Sequence, residues 1–150
     1  MVHIQADIEI QAPPRAILDV LADLPSYPQW SAVHKKAVVD EVHRGGRPQR
    51  ATMTVAAAGL TDVQVLDYTW SANRVEWSLV HAGQQRDQHG SYDIASSGHG
   101  RSAVHYDLDI TPSVPMPGFI VRRVMNKAVQ AATAGLKSRV EQLQKQPAAS

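Results

Sequence analysis

Histidine and carboxylate side chains are the residues in this sequence whose types could do metal or acid-base chemistry. The seven histidines are His3, His34, His43, His81, His89, His99 and His105. None has the HxH, HxxxH or HxxE spacing that brings metal ligands onto one face of a strand or helix. The sequence therefore predicts no metal site, and we interpret the histidines as solvent-facing groups of strands and loops.

Three aspartates are the candidates for carboxylate chemistry. Asp107 and Asp109 alternate with apolar residues, so they share the polar face of a strand. Paired carboxylates act as acid and base when burial shifts their pKa values, and a solvated face supplies no burial. Asp67 lies beside a break in alternation, where we expect it to stabilise a bulge or to lie at the surface. No catalytic residue is predicted.

Motifs of the common nucleotide-dependent and hydrolytic enzymes are absent from the sequence. No glycine motif joins a strand to a helix, and there is neither a P-loop lysine nor a G-x-S-x-G sequence. The chain contains no cysteine, which excludes disulfides, thiolate metal sites and thiol nucleophiles. The sequence indicates no cofactor.

The length, charge and composition of the chain limit its number of domains and its partners. A chain of 150 residues suits one core, and we predict a single domain over 1–145 with a frayed tail over 146–150. The net charge is +1 with scattered basic residues, so nucleic acid is not an expected partner. With no long apolar run and no secretory signal, we expect no stable membrane insertion, a cytoplasmic location, and a monomer or weak homodimer.

Alternation of apolar and polar residues predicts seven antiparallel strands. Residues 2–10 alternate until the prolines at 13 and 14. Six further strands are predicted between turn signals, at approximately 33–43, 49–58, 61–70, 74–81, 84–95 and 101–111. In the strand over 61–70 the apolar phase slips between Val65 and Leu66, which predicts an inserted bulge residue there.

Helical spacing predicts two short elements and one long helix. A helix is expected over 15–22 behind Pro14, followed by a second short helix or a tight loop over 23–30. Apolar residues spaced by three and four from Gly118 to about Gln144 predict an amphipathic helix of ~39 Å. A helix of this length must cross the whole domain. The predicted class is therefore α+β, with a curved antiparallel sheet wrapped around the helix.

The middle of the long helix, AVQAATAG over 128–135, has few large side chains. This composition is compatible with close packing against the sheet or with a void between the two, and the sequence leaves both open. Arg86 and Gln88 share strand parity with Tyr92, so polar groups are expected on the apolar side. The candidate ligand-binding residues are Trp30, Met53, Trp77, Arg86, Gln88, Tyr92, Tyr106, Met116, Phe119, Met125 and Val129.

Several segments, together with the order of the elements, resemble one family over nearly the whole chain. These segments are IQAPPRAILDVLADLPSYPQW (10–30), DYTW (67–70), VEWSL (75–79), GSYDI (90–94) and PMPGFIVRR (115–123). They are similar to the START-like superfamily of polyketide cyclases/dehydrases and lipid-transport proteins, especially its coenzyme-Q-binding-like branch. The resemblance implies the helix-grip fold (START-like or Bet v 1-like), with a cavity for an apolar ligand between the sheet and the C-terminal helix.

Three functions follow as hypotheses. The resemblance favours binding or carrying of an apolar small molecule such as a fatty acid, isoprenoid, quinone or polyketide, with Arg86, Gln88 or a tyrosine hydroxyl orienting its polar end. The alternative is a polyketide cyclase or aromatase that uses Arg86 with Tyr92 or Tyr106. The third is a protein-interaction module that uses the outer face of the sheet or the basic pair Arg122 and Arg123.

Overall fold

The alternating segments form one seven-stranded antiparallel sheet in the computed structural model, which describes residues 2–146. The strands are β1 (Val2–Ile10), β2 (His34–Val42), β3 (Pro48–Ala57), β4 (Leu60–Trp70), β5 (Arg74–Ala82), β6 (Gln85–Gly98) and β7 (Arg101–Pro112). Their spatial order is β1-β7-β6-β5-β4-β3-β2, so β1 and β2 are the edges. All seven predicted strands are confirmed, with their ends within three residues of the predicted positions.

The helices also follow the sequence pattern, with one addition. The helix α1 (Pro14–Ala22) begins at a proline and is followed by a 3-10 helix over Leu24–Gln29. The long C-terminal helix consists of α2 (Gly118–Gln130), a π-helical turn (Ala131–Gly135) and α3 (Leu136–Lys145). The π-helical turn, which coincides with the small residues of the long helix, was not predicted. The predicted tail beyond Gln146 lies outside the described residues.

The long helix lies across the concave face of the sheet. Its C-terminal part, α3, packs against α1 and β1. The Lys137 ammonium donates to the Glu9 carbonyl oxygen at 3.0 Å, and the Gln11 N–H donates to the Glu141 carboxylate at 2.9 Å. The N-terminal part, α2, contacts β1 and β3. The two ends of the sheet therefore differ: α1 and α3 cover one, and the β3–β4 and β5–β6 hairpins with the 113–117 loop form the other, here named the hairpin end.

Strand β4 corrects one prediction. It alternates without interruption, and its buried residues are Asp62, Gln64, Leu66 and Tyr68. The break predicted between Val65 and Leu66 is present as a register shift in the β4–β5 pairing, but the inserted residue is not in β4. The shift lies in the neighbouring strand β5, where pairing with β4 skips Val80. Because β4 keeps its phase, two polar side chains face the concave side and Val63 and Val65 face outward.

The outer face of the sheet holds most of the charged pairs. Asp67 accepts two hydrogen bonds from the Arg50 guanidinium, at 2.7 and 3.1 Å, which is the surface role expected for it. His3, Asp107 and Asp109 come within 4.8 Å of one another where β1 pairs with β7. The hydrogen bond that the protonated His3 imidazole donates to the Asp109 carboxylate raises the pKa of His3. Strand pairing, rather than sequence spacing, brings these three side chains together.

The π-helical turn packs so closely on Trp30, the residue after the 3-10 helix, that we expect Gly135 to be required there. A Cβ on Gly135 would lie 2.7 Å from the Trp30 carbonyl oxygen. Helix propensity alone favours Gly135→Ala by about 1 kcal/mol, whereas overpacking costs about 1–3 kcal/mol. We expect the variant to have a lower urea midpoint than the wild type. Ala134→Gly at the exposed neighbouring position measures the propensity effect, and a more stable Gly135→Ala protein would contradict the packing argument.

Candidate functional site

A cavity of about 190 Å³ lies between the concave face of the sheet and the long helix. The helix residues that line it are Val121, Val124, Met125, Ala128, Ala131 and Ala132. Three of these are alanines, whose side chains end at Cβ and leave the space unfilled. An engineered apolar cavity of about 150 Å³ is known to bind benzene, so this cavity has room for a small apolar molecule.

Four aromatic side chains on the concave face form a continuous surface, here named the aromatic row. They are Tyr68, Trp77, Tyr92 and Tyr106, and successive ring centroids lie 6.1, 5.9 and 5.0 Å apart. The Trp77 indole lies against Gly90 on β6, where a Cβ would come within 2.1 Å of it. Glycine is therefore needed for this ring to lie close to the strand. The row gives the cavity a large apolar wall.

Hydrogen bonds fix the aromatic row and join it to the helix. The Trp77 indole N–H donates to Gln88 Oε1 at 2.9 Å, and Gln88 Nε2 donates to Gln85 Oε1 at 2.8 Å. The Tyr92 hydroxyl donates to the Ala132 carbonyl oxygen in the π-helical turn at 3.0 Å. Burial raises the pKa of the Tyr92 hydroxyl well above its ordinary value. At neutral pH this group is thus a donor and not a base.

The cavity opens at the hairpin end of the sheet. Gln84 is solvent-exposed and also lines the cavity, together with Gln85, Pro112 and Met116. The Ser113 backbone N–H donates to the Gln84 carbonyl oxygen at 3.0 Å, which ties the 113–117 loop to the β5–β6 hairpin. The mouth is therefore formed by one hairpin and by the loop that leads into α2.

The structure gathers most, but not all, of the predicted ligand-binding residues around the cavity. Those on its lining are Trp30, Trp77, Gln88, Tyr92, Tyr106, Met116 and Met125. Met53 and Val129 are buried or half-buried but off the lining, and Phe119 is 58% exposed. Arg86 is exposed because the pairing of β6 with β7 shifts register between Gln85 and Asp87. This shift reverses the parity on which the prediction for Arg86 rested, and Gln85 lines the cavity instead.

The sequence analysis missed several polar side chains on the lining, among them Asp62, Gln64 and His34. Asp62 and Gln64, which are 9% and 5% exposed, face the cavity from β4. Extending the alternation backwards from Tyr68 and Leu66 would have found both. His34 was interpreted as solvent-facing, but a register shift between His34 and Lys36 turns it onto the lining. A single sequence carries no clear signal for that shift.

His34 is held neutral by its surroundings. Its Nδ1 lies 2.7 Å from the Ser31 hydroxyl oxygen, and the Tyr27 ring meets it edge-on at 5.2 Å between centroids. Burial lowers the pKa of the His34 imidazole to about 4. Among the described residues no lysine or arginine lines the cavity. The lining thus has one acidic side chain, Asp62, and no positively charged group at neutral pH.

Comparison with known proteins identifies the family. Residues 1–141 match the family of polyketide cyclase / dehydrase and lipid transport. The chain belongs to this family. Its seven-stranded curved sheet and long C-terminal helix form the helix-grip, START-like fold. No curated protein matches the sequence, and no helix among residues 2–146 has the length and apolar character needed to cross a membrane.

Solved structures share this fold at low sequence identity. A START superfamily protein from Mycobacterium smegmatis is 23% identical with a TM-score of 0.85, over 94% of this chain and 98% of the other. The Zhui aromatase/cyclase from Streptomyces sp. R1128 is 13% identical with a TM-score of 0.83, over 96% of both chains. A protein from Thermus thermophilus is 19% identical with a TM-score of 0.82, over 96% of this chain and 100% of the other. At these identities the likeness establishes the fold alone.

The neutral state of His34 predicts a pH-dependent stability. Its pKa of about 4 in the folded protein lies below the ordinary 6.5, so between these values the unfolded chain binds more protons. The stabilisation is complete above pH 6.5 and is lost as the pH falls towards 4, by at most on the order of 3 kcal/mol. We expect urea unfolding at pH 7 and pH 4.5 to show a smaller pH-dependent loss for His34→Gln than for the wild type.

The same substitution at exposed His81 controls for the removal of a histidine. A difference in unfolding free energy between wild type and His34→Gln that stays constant from pH 7 to pH 4.5 would contradict this assignment.

Proposed function

We propose that the protein binds an apolar small molecule in the cavity between the sheet and the long helix, and carries it without chemical change. The observation that supports this most directly is an open, mainly apolar cavity of about 190 Å³ beside the aromatic row. Pockets for small molecules are typically apolar with a few convergent polar groups. The cavity matches that description through Gln64, Gln88 and Asp62.

Affinity would come mainly from burial of the ligand's apolar surface. Each Å² of apolar surface removed from water contributes about 25 cal/mol, and the aromatic row offers flat faces on which rings or chains can stack. Gln88 is already held by Trp77 and Gln85, so its amide is oriented before a ligand arrives. A preformed wall of this kind reduces the entropy that binding must overcome.

The ligand would enter at the hairpin end. Met116 belongs both to the 113–117 loop and to the cavity lining, and the prolines at 112, 115 and 117 restrict the loop's backbone. We infer that this stiff loop moves as one unit and acts as a lid. Its attachment to the Gln84 carbonyl oxygen is a single hydrogen bond, which can break without disturbing the sheet.

The same geometry favours binding over cyclisation. A cyclase built on Arg86 and Tyr92 requires the guanidinium and the hydroxyl at one reacting centre. Arg86 is exposed and off the lining, and the Tyr92 hydroxyl is already bound to the Ala132 carbonyl oxygen. Arg122 and Arg123 are exposed on α2, and nothing about them favours an interaction module over a solvated helix face.

Native mass spectrometry of the freshly purified protein tests the proposal. A bound small molecule that remains under gentle ionisation and is released at higher collision energy would support it. The neutral dye Nile red, whose emission increases in apolar surroundings, provides a second readout with purified protein. Dye binding that is absent, together with a mass spectrum of bare protein only, would refute the carrier function.

A matched pair of helix variants locates the binding. Ala128 lines the cavity and Ala134 is exposed on the same helix. Ala128→Leu adds three carbon atoms to the cavity, so we expect Nile red affinity to fall by at least about tenfold, while filling the void preserves or raises stability. Ala134→Leu should change neither. Equal dye affinity in the two variants would show that the dye binds elsewhere.

A further inference from the structure

Two buried side-chain atoms among residues 2–146 lack a hydrogen-bond partner, and both belong to residues that line the cavity. They are Asp62 Oδ2 and Trp30 Nε1. Buried polar groups are almost always paired because an unpaired one loses its hydration without compensation. One of these atoms accepts hydrogen bonds and the other donates one. Trp30 also lines a second pocket between α1 and α3, whereas Asp62 lines only the cavity; the missing partner of Asp62 Oδ2 therefore points to whatever occupies the cavity.

Asp62 is the more informative of the two because its position is fixed. It is 9% exposed, and its Oδ1 accepts the Gly83 backbone N–H at 2.9 Å. A Cβ on Gly83 would lie 3.1 Å from Oδ1, so the hairpin backbone closes tightly around this side of the carboxyl group. One oxygen is thus held by the protein while the other has no partner. Asp62 also lies in one cross-strand row with Val55 and His34.

The charges around Asp62 determine which ligand group can approach it. Among the described residues no lysine or arginine lines the cavity. The lining histidine, His34, is neutral near pH 7 because burial lowers its pKa to about 4. Gln64, two residues along the same strand, and Gln88 contribute neutral amides. An anionic ligand would find no opposite charge in this cavity and would approach an acidic side chain.

We propose that the polar end of the bound molecule is a hydrogen-bond donor, a hydroxyl or a protonated amine, that binds Asp62 Oδ2, and that ligands with a carboxylate end are excluded. This inference rests on the proposed binding function and narrows its ligand class. Of the molecules considered above, it favours hydroxylated isoprenoids and phenolic polyketides over fatty acids.

Four ligands with the same eight-carbon chain test the preference in the wild-type protein. They are 1-octanol, octylamine, octanoate and octyl methyl ether, compared by calorimetry at pH 7. Octanol has a hydroxyl donor that the ether lacks, and octanoate carries a negative charge, which is unfavourable beside an acidic side chain. We expect octanol or octylamine to bind at least about tenfold more tightly than the ether and the carboxylate. The alcohol and amine arms distinguish a neutral donor from a cationic one.

The substitution Asp62→Asn shows whether the carboxyl group causes the preference. Its carbonyl oxygen can still accept the Gly83 N–H, while its NH₂ group replaces the free acceptor with a donor. We expect the variant to lose the preference for octanol over the ether and to bind octanoate at least about tenfold better than the wild type does. Asp87→Asn removes an exposed carboxylate near the mouth and should leave the order of affinities unchanged.

The outcomes distinguish a failure of the Asp62 inference from a failure of the proposed binding function. If the ether and octanoate bind the wild type as tightly as octanol, the cavity binds apolar molecules but Asp62 does not select them. An unchanged order of affinities in Asp62→Asn overturns the inference in the same way. If none of the four ligands nor Nile red binds the wild type, the carrier function itself fails. The wild-type series gives a decision even if Asp62→Asn does not fold.

Discussion

The distance between the concave sheet and the middle of the long helix is the constraint on which the site depends. Large rings of the aromatic row approach from the sheet, and alanine side chains face them from the helix. The Tyr92 hydroxyl joins the two at the Ala132 carbonyl oxygen. Protein interiors are normally close-packed, so a gap of this size persists only where rigid walls prevent collapse. The aromatic row and the continuous helix provide such walls.

The two faces of the sheet divide the chemistry of the protein. The outer face holds ion pairs such as Arg50–Asp67 and Arg74–Asp93, which are solvent-exposed and therefore contribute little to stability. The concave face holds a mainly apolar surface into which Asp62, Gln64 and Gln88 project. In the low dielectric of that interior, a polar group without a hydrogen-bond partner costs much more free energy than the same group on the solvent-exposed face. The proposed ligand selectivity therefore depends on few side chains.

Most of the architecture could be predicted because its signals are local. Alternation located the strands to within a few residues, and a proline-free amphipathic pattern from Gly118 located the long helix. The small-residue stretch was noticed, but the sequence left close packing and a void equally open. That choice depends on sheet curvature and on the thickness of the opposing aromatic row, which are properties of the assembled elements and not of the helix itself.

The site was predicted less well where strands depart from regular pairing. Arg86 and His34 were assigned to the wrong faces because register shifts lie beside them. Asp62 and Gln64 were overlooked because an interruption was assigned to β4 when it belongs to β5. Since side chains on a strand alternate with a period of two, a single irregular residue reverses every assignment beyond it. Errors of one residue therefore exchange cavity residues for surface residues.

The sequence by itself determined the class of fold, the order of its elements and the apolar character of the sheet's inner face, because these follow from local periodicity and from turn residues. Tertiary structure alone decided which polar side chains reach the interior, that two of their atoms lack partners, and that no lysine or arginine among the described residues lines the cavity. The reason is that register between strands is set by contacts between segments distant in the chain, and burial and charge at a site depend on that register.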